Sequence, residues 1–111
     1  MSNAKGQVLI LGWAEDVARV AKKLPYSVCL LNEKSGQNEI PPTVKTAVYV
    51  FSRDTGSSSE LLSLISYVHS GIVPQQEFVL SLDSVELKTQ VFPVISNVPE
   101  ITLESLCGLS S

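Results

Sequence analysis

Cysteine, histidine and charge are all scarce in this chain, and each scarcity closes a route. Two cysteines and one histidine among 111 residues form no Cys-x-x-Cys pair and cannot complete a zinc ligand set. Cys29, inside Val28-Cys29-Leu30-Leu31, reads as a small buried hydrophobe. Two cysteines with no disulfide framework suit a reducing, cytoplasmic setting. Charged residues make up only 17% and the formal net charge is −3. That mild acidity leaves no basic footprint for nucleic acid. No apolar run approaches the roughly 18 residues of a membrane helix, so no membrane contact is expected within the domain. A Gly-x-Ser-x-Gly elbow, a Walker loop and internal repeats are all missing.

What is present suffices for one domain with its own core: 44% of the residues are apolar. Met1-Ser2-Asn3-Ala4 reads as a tag-cleavage remnant. Residues 5–109 read as a single domain cut from a longer protein, whose remainder is then the first expected partner.

Strand-like and helix-like periods alternate along the chain. Short apolar runs predict strands at Gln7 to Leu11, Ser27 to Asn32, Val44 to Phe51 and Phe78 to Leu82. Between the first two, Ala14, Val17, Ala18, Ala21 and Leu24 form a helical stripe. Glu15 and Asp16 lie in its first turn, Lys22 and Lys23 in its last, and Glu15 stands four residues before Arg19. Pro25 stops this helix. Ser57 and Glu60 have capping-box spacing before the stripe Leu61, Leu64, Ile65 and Val68, which Gly71 and Ile72 are placed to close as a Schellman motif. His69 falls near that end, where a cation suits the dipole. Asp83 to Gln90 reads as a short helix. Val91 to Ser96 reads as a fifth strand, confined to a sheet edge by Pro93. Asn97-Val98-Pro99 opens a last helix carrying Ile101, Leu103 and Leu106. The expectation is therefore an α/β fold: three-layer, doubly wound, with a five-stranded, mostly parallel sheet of Rossmann-like or flavodoxin-like type.

Ligands of such sheets bind beyond the carboxyl ends of the strands. There the dinucleotide fingerprint is partly present. Gly12 fits its first glycine and Glu33 fits its ribose-binding acid. Ala14 and Val17 replace the later glycines, and Glu15 and Asp16 bring negative charge where a pyrophosphate would sit. Asp54-Thr55-Gly56-Ser57 is a polar turn that could cradle a phosphate or simply cap a helix. Receiver-type phosphoryl chemistry lacks its parts: Gly12-Trp13 stands where an acid pair is needed and Ser96-Asn97 where a lysine is needed.

Ile10-Leu11-Gly12-Trp13 with Asp16, then Leu30-Leu31-Asn32-Glu33, resembles the opening of Rossmann-like RCK/TrkA-N regulatory domains, especially those of the CASTOR/POLLUX channel group. The resemblance covers residues 7–33 and stops at Gly36. It implies a regulator that binds ions or nucleotides and assembles with its own kind. It marks Gly12, Trp13, Asn32 and Glu33 as a ligand-side cluster, to which the polar turn adds Asp54 and Thr55. Two functional classes follow. One is a non-catalytic regulatory or ligand-sensing domain taking a nucleotide or dinucleotide, with no catalytic residue and no metal site of its own. The other is an interaction domain of the same fold without ligand, either degenerate receiver-like or an accessory to a redox protein, which would self-associate.

Overall fold

The computed structural model describes residues 8–26, 28–36, 40, 44–52, 59–72, 76–82, 95 and 97–108. Strand β1 spans Val8–Leu11, β2 Cys29–Leu31, β3 Thr46–Phe51 and β4 Gln76–Ser81. Helix α1 spans Ala14–Lys22, α2 Ser59–Tyr67 and α3 Leu103–Cys107. The four strands form one parallel sheet in the order β2-β1-β3-β4. Every residue of β1 and β3 is buried, whereas β2 and β4 are only partly so. Central strands of a parallel sheet are covered on both faces, which is why they read as unbroken apolar runs.

Side-chain alternation along the strands divides the core in two. Leu9, Leu11, Ala47, Tyr49, Phe51 and Val79 pack with Leu61, Leu64 and Ile65 of α2. Val8, Ile10, Val48, Val50 and Leu80 pack with Val17 and Val20 of α1 and Leu106 of α3. Helices thus cover both faces, and each buried aliphatic side chain contributes about 1.5–3 kcal/mol. The Tyr26 hydroxyl donates to the Leu106 carbonyl at 2.6 Å and ties the end of α1 to α3. Burial, and secondarily the Cys107 charge, raise the Tyr26 phenol above its ordinary pKa. Cys29 is half-buried against the core, and burial likewise raises its thiol. No described helix is long and apolar enough to cross a membrane.

Several expectations change in detail. Helix α1 buries Val17, Val20 and Asp16, while Ala18 is exposed. Arg19 reaches Asp16 at 3.4 Å instead of Glu15. Helix α2 does not close at Gly71; it widens into a π-helical segment, Val68–Ile72, that contains His69. Pro99 does not open the last helix. Thr102 caps it instead, accepting from the Ser105 amide at 3.1 Å. Residues 99–101 lie extended beside β4: the Val79 amide donates to the Pro99 carbonyl and the Ile101 amide to the Val79 carbonyl, each at 2.9 Å. Of the expected fifth strand only Ile95 is described, in a buried 3-10 turn. The helix expected over Asp83 to Gln90, and Pro93 at its edge position, lie outside the described residues.

Candidate functional site

The register explains what gathers at the carboxyl end of the sheet. Leu11 pairs with Tyr49, so the next residue, Gly12, lies against Val50. A Cβ on Gly12 would stand 2.9 Å from the Val50 carbonyl oxygen and 3.1 Å from its Cβ. Glycine is required there for close approach between strands. Gly12 is buried and does not line the cleft described below. Its role is packing.

Beyond Gly12 the chain turns straight into α1. Trp13 occupies the N-cap in an extended conformation and offers no side-chain acceptor to the first turn. The missing cap comes from across the sheet: Glu33, just after β2, accepts from the Ala14 amide through Oε1 at 3.0 Å. A carboxylate at this end also complements the helix dipole. Asn32 sets up that reach. Its side chain accepts from the Lys34 amide at 2.8 Å, while its own amide donates to the Ser35 hydroxyl at 3.0 Å. This is a local turn of the kind asparagine favours, and it spends the Asn32 side chain on the loop.

A cleft of about 570 Å³ opens between these segments. Trp13, Ala14, Glu15 and Asp16 line it from the start of α1, Glu33 and Lys34 from the end of β2, and Ser52 from the end of β3. Of the six expected site residues, the structure brings Trp13 and Glu33 together in this cleft and leaves Gly12 and Asn32 in supporting positions. Asp54 and Thr55 lie outside the described residues. Glu15, Asp16, Lys34 and Ser52 were not among the expected binding residues. Asp16 stands off the apolar stripe expected for α1, yet it is 4% exposed. Among the described residues its Oδ2 has no hydrogen-bond partner, and neither has the buried Trp13 indole nitrogen.

A second polar cluster lies on the α2 face of the sheet. Tyr49 of β3 donates to Glu77 Oε2 of β4 at 2.5 Å, and His69 Nδ1 sits 2.8 Å from the same oxygen. Burial first, then the hydrogen bond and charge of Glu77, push the Tyr49 phenol far above its ordinary pKa. Sequence spacing gives no hint of this trio, since the register of Thr46–Phe51 on Gln76–Ser81 brings Tyr49 and Glu77 together and the π-helical segment after α2 adds His69. Among the described residues no group of three His, Cys, Asp or Glu side chains is placed to hold a metal ion. No protein-family model, curated protein or solved structure matches the chain.

Proposed function

We propose that this is a non-catalytic, ligand-sensing domain whose ligand seats in the cleft between Trp13 and Glu33. The supporting observation is the cleft's place. It lies at the carboxyl ends of β1, β2 and β3, where the chain leaves β1 toward β2 on one side and finds β3 on the other. In open α/β sheets that reversal of strand order is the ordinary ligand crevice. The same order supports a doubly wound, flavodoxin-like domain in which the segment around residues 99–101 takes the fifth position beside β4.

The cleft is poorly suited to a phosphate. Glu33 already occupies the Ala14 amide that an anion would approach, and Glu15 and Asp16 add negative charge beside it. A nucleotide would have to displace Glu33. The chain's single tryptophan lines the cleft, so its fluorescence reports occupancy. A titration of small ligands that includes AMP, NAD, NADP and FMN should give a saturable Trp13 response and a matching rise in melting temperature for one class. Glu33→Ala should cost about 1 kcal/mol of stability through the lost cap, and should strengthen both responses to a nucleotide, whose phosphate then has no Glu33 to displace. Failure of every class to move either signal would overturn the sensing reading. It would favour the interaction domain, for which the supporting feature is Leu30, 41% exposed in β2.

A further inference from the structure

We propose that the free edge of β2 joins two copies of this chain, which pair their β2 strands antiparallel across a two-fold axis. The contact goes beyond the sensing reading and does not depend on a ligand in the cleft. The order β2-β1-β3-β4 leaves β2 and β4 as outer strands. The outer side of β4 is taken, because residues 99–101 lie along it and exchange two backbone hydrogen bonds with Val79. Among the described residues β2 pairs with β1 alone. The Leu31 carbonyl accepts from the Gly12 amide at 3.2 Å, so it turns toward β1. Backbone groups alternate in direction along a paired strand, and the N–H and C=O of Leu30 therefore turn outward. Native sheets blunt such an edge with charge, proline or a bulge. Val28-Cys29-Leu30-Leu31 has neither charge nor proline, and Leu30 is 41% exposed.

Charge favours a second copy as the occupant, and fixes its direction. Helix α1 packs on β2 as well as β1. It carries exposed Glu15 at the end beside the cleft and exposed Lys22, with Lys23 after it, at the other end. A two-fold axis normal to the sheet sets the two α1 helices on one face and reverses their direction. Each acidic end then lies beside the basic end of the other copy, whereas parallel pairing would set like charges together. Cys29 and Leu31 pack on the α2 side and Val28 on the α1 side, so Leu30 faces the α1 side. Paired on the axis, the two Leu30 residues exchange both backbone hydrogen bonds. Their side chains meet as a cross-strand pair, which removes the exposed leucine of both copies from water at once. Such a contact is self-complementary and closes at two chains.

Sedimentation velocity of the full chain, without ligand and from micromolar to sub-millimolar concentration, should show a reversible equilibrium between the 12.0 kDa chain and its dimer. A chain that stays monomeric throughout, or that builds larger open-ended species, would overturn the proposal. Leu30→Lys sets two ammonium groups opposite each other and should weaken dimerisation roughly 10- to 100-fold. The side chain is exposed, so the variant should keep the circular dichroism of the parent. Lys22→Glu combined with Lys23→Glu, both at exposed positions, should weaken the dimer as well. A dimer that withstands Leu30→Lys would overturn the β2 contact, and one that withstands the charge reversal would overturn its antiparallel direction. Hydrogen exchange on the unaltered chain needs no variant to fold. The Leu30 amide should exchange several-fold more slowly as the dimer fills, because pairing gives its N–H an acceptor; an amide that exchanges equally fast in monomer and dimer would place the contact elsewhere and overturn the proposal.

Discussion

Single residues here carry meanings that residue type alone does not settle. Gly12 and Glu33 have the spacing of a dinucleotide fingerprint, yet the structure uses both for architecture. Gly12 lets β1 run against Val50, and Glu33 caps the helix that follows. A methyl group on Gly12 would meet backbone, which cannot rotate away as a side chain can. Gly12→Ala should therefore cost about 1–3 kcal/mol, read as a lower midpoint in urea unfolding with little change in slope. Retention of full stability would show that the β1–β3 approach is looser than described. Asp16 is the opposite case. It was visible in the sequence as an acid of the first turn, but its burial depends on what packs over α1, and no local pattern encodes that.

At the scale of elements, the strands and the first two helices were legible because burial leaves a period in the sequence. Runs such as Thr46–Phe51 have no charged position to break them, and α1 keeps its acids and bases at the proper ends. The differences arise where local rules compete with longer-range packing. Pro99 fits a first helical turn, but residues 99–101 find hydrogen bonds to Val79 and Thr102 supplies a better cap. Gly71 fits a helix terminus, but the turn before it widens while His69 reaches Glu77. The Tyr49–Glu77–His69 trio belongs to this scale, since it joins β3, β4 and the end of α2.

That trio gives a pH prediction. The folded-state pKa of Tyr49 is raised, so its contribution is present in full below the unfolded phenol's pKa of about 10. Above that value the unfolded chain sheds a proton that the folded one keeps, and stability falls as pH rises. Absorbance at the tyrosinate band should show one phenol that ionises only with unfolding. In Tyr49→Phe, this cooperative component should vanish. A Tyr49 that titrates freely near pH 10 in folded protein would contradict its burial beneath α2.

For the whole molecule, the strand order β2-β1-β3-β4 is what turns scattered polar residues into a site. Residues 13–16, 33–34 and 52 are far apart in the chain and meet only because β1 lies between β2 and β3 with all carboxyl ends together. The sequence therefore pointed to the carboxyl end of the sheet, where the cleft lies, without showing its lining, because net cleft charge depends on which acids face inward. The most direct test is an amide chemical-shift map of the isotope-labelled protein titrated in turn with AMP, NAD, NADP and FMN. The account predicts saturable shifts concentrated at Trp13 to Asp16, Glu33, Lys34 and Ser52, with the α2 face unmoved. Shifts centred on Leu30 or the α2 face, or none with any of the four ligands, would contradict it.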